Sequence, residues 1–303
     1  MSHGQSDLER VLDLKQVANC DIFVGQPSAQ ASQASTRTHL FGGLIAAQSV
    51  VAASRTVPLT HRIHSLHSYF ILAGDGRLPI LFQVARIRDG ASFKTRQVLA
   101  MQENRPIFMM IASFHMAEAG PEFQRTPEEI SALLTLMPEG SQLKSANQLL
   151  QEGKQIESVR DTDCLQVLKG SNHSLTWRKH RSELRGIGTD AVSWVNHAAV
   201  LAYMSDVGLL SSVKQPYQEI PIGMMTSLDH TIHFHRHFRA DAWLLFHNET
   251  TTSSGARGVA RTEVWTEQGY LVASFMQEGL VRPSRAWKPT TEPSDELAAS
   301  AEQ

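Results

Sequence analysis

"YLVASFMQEG" (270–279) starts as an apolar strand and runs into two polar residues, Gln277 and Glu278. An earlier stretch, "MMIASFHMAEAG" (109–120), shares its core, Ile-Ala-Ser-Phe at 111–114 against Val-Ala-Ser-Phe at 272–275. What precedes each copy is also alike. "HLFGGLIAAQSVVAASRTV" (39–57) predicts a buried helix over 43–55, and "SWVNHAAVLAYMSDVGLL" (193–210) predicts a second. Small residues recur in both, at Ala46, Ala47, Ala52 and Ala53 and at Ala198, Ala199 and Ala202, and allow close approach to a sheet. Each helix is followed by strand patterns separated by Gly, Asn and Asp turn signals. In the first half these are "IHSLHSYFI", "LPILFQVARIRDG", "FKTRQVLAMQENRP" and "IFMMIASFHM". In the second they are "TSLDHTIHFHRHF", "AWLLFHNETTTSSG", "ARGVARTEVWTEQG" and "YLVASFMQEGLVR", preceded by "DCLQVLKG" and "HSLTWRKHRSEL". The strand is written twice because a helix-plus-antiparallel-sheet module is written twice. Two tandem copies imply one pseudo-symmetric α+β body whose sheets join edge to edge, which removes exposed edges.

The module boundaries fall at 1–116 and 156–283. Between them, 117–155 is more polar and reads as a linker with short helices, one starting at Thr126-Pro127-Glu128-Glu129. Residues 8–20 read as an amphipathic helix interrupted by Lys15, and 284–303 as a mobile tail.

Composition narrows the function. The 303 residues are 42% hydrophobic and 19% charged, with a net charge of -2, which gives no basic field for nucleic acid. Cys20 and Cys164 have no metal-ligand spacing and suit a reducing compartment. No apolar run reaches the roughly 18 residues of a membrane span. The polar start "MSHGQSDLER" and the end "SAEQ", which is not a peroxisomal address, lead us to expect a cytoplasmic protein.

In a duplicated scaffold the polar residues that break the repeat are informative. The second helix ends at Asp206, where the first has no acid, and Gln277 stands where the first module has Met116. Ser227 in "TSLDH" is matched with Ser65 in "HSLHS". A carboxylate, a hydroxyl and a primary amide make a usable hydrolytic set: the acid takes a proton from water, and the other two hold the water or a carbonyl. Each alone is more often a cap or a solvated group. A Ser227–His230 couple is disfavoured, because residues an odd number apart on a regular strand diverge. His233, His235 and His237 alternate and can be read as metal ligands, although a polar strand face is commoner. The glycines of "FGG" suit either a backbone N–H site or close packing. Trp177, Arg178, Lys179 and Arg181 suit a phosphate-bearing ligand or, more often, a solvated face.

Taken together, "FGG" (41–43), "HSYF" (67–70), "RDG-SF--R" (88–96), "SDVGLL" (205–210), "DH-I-FHR-F" (229–238) and "ASxxQEG" (273–279) resemble the type II acyl-CoA thioesterases, in order and with matching gaps over about residues 8–283. The resemblance implies a double hotdog, each antiparallel sheet wrapped around a long central helix. It implies hydrolysis of fatty acyl-CoA to fatty acid and CoA with no metal or organic cofactor, in a homo-oligomer; with the charge and hydropathy above, the expected partner is acyl-CoA, with no nucleic acid and no membrane span. By motif, the family's Asp, Thr or Ser, and Gln fall on Asp206, Ser227 and Gln277; serine keeps the hydroxyl and loses a methyl relative to threonine. Two other readings stand beside it. One is a hotdog hydratase or dehydratase using His197 or His230; the other is a non-catalytic acyl-CoA binding protein.

Overall fold

The computed structural model describes residues 7–27, 39–124, 144–159, 161–184, 191–217 and 219–287. The expected helix start at Thr126 and most of the tail lie outside them. In chain order the described elements are α1 (Asp7–Leu12), β1 (Lys15–Gln16), β2 (Ile22–Gly25), α2 (Gly42–Ser54), β3 (His61–Phe70), β4 (Ile80–Asp89), β5 (Phe93–Gln102), β6 (Arg105–Met116) and α3 (Ala146–Gln151). They continue with β7 (Glu157–Val159), β8 (Thr162–Lys169), β9 (His173–His180), α4 (Ala191–Ser205), α5 (Leu209–Val213), β10 (Ile222–Ser227), β11 (Asp229–Phe234), β12 (Leu244–Ser254), β13 (Arg257–Thr266) and β14 (Leu271–Pro283).

The strands form one antiparallel sheet in which β3 pairs with β11. Outward from that seam the order is β6, β5, β4, β2 on one side and β14, β13, β12, β9 on the other. The two copies of Ala-Ser-Phe thus occupy matching strands, next to the seam on either side. Leu66 lies opposite Ile232, and Ser68 Oγ donates to His230 O across the seam at 2.8 Å. Two-residue turns close the β5–β6 and β12–β13 hairpins. Both residues of each, Glu103–Asn104 and Gly255–Ala256, have positive φ, as turns matched to strand twist require.

Helices α2 and α4 pack against each other inside one apolar core. From Gly43 to Ser54 every residue of α2 is buried, so the helix needs no polar face. Arg96 fastens its C-terminal end. Fully buried, it donates to Thr56 Oγ1, Thr56 O, Arg88 O and Asp89 Oδ1 at 2.6–3.0 Å, tying the helix end to the β4–β5 hairpin. The "RDG-SF--R" motif is therefore a structural clip.

Two expectations need correction, and one strand is new. The helix over 8–20 stops at Leu12, and Lys15–Gln16 pairs instead with Phe23–Val24. The strand β2 carries too few residues to show a period and was not foreseen. The "TSLDHTIHFHRHF" strand is broken at Leu228 into β10 and β11 and ends at Phe234. In the polar 117–155 segment, α3 begins with a capping box between Ser145 and Gln148. It lays Ala146, Leu149 and Leu150 on a second apolar cluster with Leu165, Leu175, Trp177, Leu245 and Trp265. Among the described residues no helix is long and apolar enough to cross a membrane.

Candidate active site

Asp206 follows the last residue of α4, Ser227 ends β10, and Gln277 lies in β14. The fold brings all three together. Gln277 Nε2 donates to Asp206 Oδ1 at 2.9 Å and to Ser227 Oγ at 2.8 Å. The amide orientation follows from chemistry, since only Nε2 can face an acceptor-only carboxylate. Both amide protons are thereby used, and Gln277 is 0% exposed. Its Oε1 has no hydrogen-bond partner among the described residues, so an acceptor is held inside the site.

The second oxygen of Asp206 reaches the other half of the chain. Gly43 N–H donates to Asp206 Oδ2 at 2.9 Å, so the carboxylate lies at the positive end of α2. Both glycines of "FGG" are needed for that approach. A Cβ at Gly42 would come within 2.7 Å of Asp206 Oδ2, and one at Gly43 would strike the Tyr203 carbonyl oxygen and the Phe41 ring. The two readings of the glycines are thus compatible, with close packing allowing the backbone N–H to reach a carboxylate. Gly43→Ala is expected to push α2 from α4, costing about 1–3 kcal/mol of stability. It should lower turnover by at least about tenfold through displacement of Asp206. Thermal unfolding and kcat on one preparation check this; a stable variant with full turnover would refute it.

Ser227 owes its direction to an irregularity that the sequence did not reveal. It pairs with Gly279, whereas Thr231 pairs with Met276, so the register moves by one residue between them. Leu228 N–H donates to Glu278 O, and the Asp229 carboxylate accepts Glu278 N–H at 2.6 Å, filling the bulge. Burial pushes the Asp229 carboxyl above its usual range, against that hydrogen bond. The strand pairings also correct the match of Ser227 to Ser65. Ile63 lies opposite Phe114 and Ile232 opposite Phe275, so Ile63 corresponds to Ile232. Ser227 falls five residues earlier and belongs to the second half alone.

The bulge also overturns the expectation that Ser227 and His230 point apart. Both face the helices, yet they do not bond. Ser205 Oγ donates to Ala202 O and sits 2.7 Å from His230 Nε2, so His230 Nε2–H donates to Ser205. Fully buried, His230 has its pKa lowered from 6.5 to about 4 by desolvation. The unfolded chain therefore binds this proton first on acidification. The stability His230 contributes is complete above pH 6.5 and is lost as pH falls to about 4, by up to about 3 kcal/mol. Urea midpoints at pH 7 and 4.5 should show this loss, and His230→Gln should flatten it; equal pH dependence in both proteins would refute the assignment. His197 Nδ1 accepts Ala240 N–H at 3.2 Å. Neither histidine joins Asp206 and Gln277, so the hydratase reading loses its base.

The remaining candidates disperse. His233 packs against His67, His235 bonds Ser274 Oγ, and His237 contacts Trp194 and Arg62. Among the described residues no group of three His, Cys, Asp or Glu side chains is arranged to hold a metal. Trp177 is buried beneath α3 and donates to Lys144 O, Lys179 lies over Trp243, and Arg181 pairs with Asp163. Arg178 points the other way. Buried over the Phe246 ring, it donates to Val207 O at 2.5 Å and so pins the residue after Asp206. Burial lowers its pKa below the usual arginine value. Its inward position, one residue from the outward Trp177, is the signal that could have revealed it.

The chain is similar to known proteins along both halves. The chain matches a family model described as acyl-CoA thioesterase over residues 146–280 and one described as acyl-CoA thioesterase N-terminal domain over 22–115. It is 34% identical to acyl-coenzyme A thioesterase 8 of Homo sapiens, covering 80% of each chain. It is 29% identical to acyl-CoA thioesterase 2 of Haemophilus influenzae, covering 93% of this chain and 99% of that one. Among solved structures, the acyl-CoA thioesterase II TesB2 from Mycobacterium marinum aligns with a TM-score of 0.72 at 33% identity, covering 93% of this chain and 99% of that one. A hot dog fold protein from Alicyclobacillus acidocaldarius aligns at 0.69 with 14% identity over 92% and 99%, and shows the fold alone. With a hotdog-type sheet and matches in both halves, the chain belongs to the acyl-CoA thioesterase family.

Proposed function

We propose that the protein hydrolyses fatty acyl-CoA thioesters to fatty acid and CoA, with Asp206, Ser227 and Gln277 as its catalytic set. The observation that carries this reading is the convergence of Asp206 Oδ1 and Ser227 Oγ on one buried amide nitrogen. One water sits against the three groups. Asp206 takes its proton as the water oxygen bonds to the thioester carbon. Gln277 keeps the carboxylate and the hydroxyl in place, and Ser227 Oγ orients the water. The N-terminal turn of α2 faces the developing oxyanion; Gly43 N–H is engaged by Asp206, which leaves Gly42 N–H as the donor. The carbon–sulfur bond then breaks and CoA leaves as a thiolate, a good leaving group that needs no strong acid.

In the same reading the fold is a double hotdog of two modules, 1–116 and 156–283, each with its own helix, α2 or α4. The mirrored strand order on either side of the β3–β11 seam supports this. Assembly into a homo-oligomer is expected, and sedimentation checks it. The test of function is thiol release from a panel of acyl-CoAs of different chain length. Release defines the substrate class; binding without release from any of them would assign the protein to acyl-CoA sequestration.

A further inference from the structure

Beside Ser227 the sheet has an unfinished edge. Strand β10 pairs only with β14 among the described residues. Strand β3 would be its other neighbour, and Phe70 N–H still bonds Leu228 O, but the chain then turns away. Ile71 and Leu72 both donate instead to Ile107 O, toward β6. A notch opens there, with Ser227 at its inner end and Ile222 at its outer end. Exposed apolar side chains border it: Ile71 (45%), Leu72 (49%), Met224 (49%) and Met225 (37%). An unpaired edge flanked by apolar side chains is a feature that soluble proteins usually cover.

The backbone groups on that edge can be identified. Val281 N–H bonds Ala256 O on the β13 side at 2.8 Å. In an antiparallel pair, residues that turn away from each other do so together. Met225, opposite Val281, therefore directs its N–H and C=O into the notch. At the outer end, Ser284 N–H bonds Pro221 O, which brings Arg285 beside the start of β10, and Arg282 lies opposite Met224. Neither arginine is ion-paired among the described residues.

We propose that the pantetheine arm of the acyl-CoA adds to the free edge of β10 like a strand, bonding Met225 through an amide, with its phosphates at Arg282 and Arg285. This rests on the reading of Asp206, Ser227 and Gln277 as the hydrolytic site. The lengths agree. From Ser227 to Ile222 the strand spans roughly 17 Å at ~3.3 Å per residue. The arm has roughly thirteen bonds from sulfur to the first phosphorus and reaches about 16 Å at the extension per bond of a peptide chain. With the thioester carbonyl at Ser227, the first amide of the arm lies near Met225. The apolar residues of the notch then meet the arm's methylene and dimethyl groups, and the anionic end meets the arginines.

The test uses three substrates with one acyl chain: acyl-CoA, acyl-pantetheine without the nucleotide, and a p-nitrophenyl ester without the arm. Met225→Pro removes the edge N–H at a position where an edge strand tolerates proline. We expect its kcat/KM to fall about tenfold more on acyl-CoA and acyl-pantetheine than on the ester. Arg282→Glu/Arg285→Glu should raise KM about tenfold for acyl-CoA and much less for acyl-pantetheine. Equal loss on all three substrates in a folded Met225→Pro, or unchanged KM in the arginine double variant, would overturn the proposal. So would a changed oligomeric state in Met225→Pro with unchanged KM, which would give the edge to a second copy. If Met225→Pro does not fold, the arginine variant decides alone. Wild type inactive on all three substrates would instead reject the hydrolytic reading itself.

Discussion

Asp206→Asn is expected to lower kcat for acyl-CoA hydrolysis by about a hundredfold or more, with folding intact. The substitution keeps shape and removes the base. One side-chain oxygen remains and can still accept Gly43 N–H, so the α2–α4 contact survives. The other position becomes an NH2 group facing Gln277 Nε2, and two donors cannot bond. The Gln277 amide must then rotate, which also costs Ser227 its donor. The loss should therefore fall mainly on kcat, with KM little changed. Single-turnover thiol release beside thermal unfolding separates the two effects. A folded variant with more than about a tenth of wild-type kcat would remove Asp206 as the base.

Arg96→Met should produce a large loss of stability, about 2–4 kcal/mol from two buried acceptors on Thr56 left without a donor, with the site residues untouched. Arg96 is 0% exposed; it donates to the buried Thr56 hydroxyl and carbonyl and reaches outward to Arg88 O and the half-exposed Asp89 carboxylate. Methionine fills most of the volume but leaves the buried Thr56 hydroxyl and carbonyl oxygens without their donor, while the exposed Arg88 O and Asp89 turn to water. Arg96→Lys keeps the charge and loses the fork, so it should fall between the two. Urea denaturation gives the comparison; a loss below about 1 kcal/mol in Arg96→Met would show that the clip is redundant. Survivors at low temperature should retain kcat, which distinguishes a structural arginine from one that binds substrate.

The two helices and most of the strands were legible because they rest on local periodicity and turn residues. The predicted helix 43–55 is observed as Gly42–Ser54, and the "YLVASFMQEGLVR" strand as Leu271–Pro283. Short elements were not legible: β2 and β1 are held by pairing with neighbours, not by their own pattern. Arg178 was misread because a run of basic residues looks solvated until the strand's inward face is known. The match of Ser227 to Ser65 was mistaken, since "SLDH" and "SLHS" are not equivalent once the strands are paired.

By itself the sequence determined the repeated strand pattern, the apolar helices, the family and the site candidates Asp206, Ser227 and Gln277. These are properties of composition and order along the chain. Only the tertiary structure decided how those residues meet. Gly43 and Asp206 are 163 positions apart, Asp206 and Gln277 are 71, and Ser227 and Gln277 are 50. Contacts at such separations depend on where two helices cross and on a one-residue shift of register beside Leu228. A crossing and a register are set by packing and hydrogen bonding between distant segments, and no local pattern encodes either.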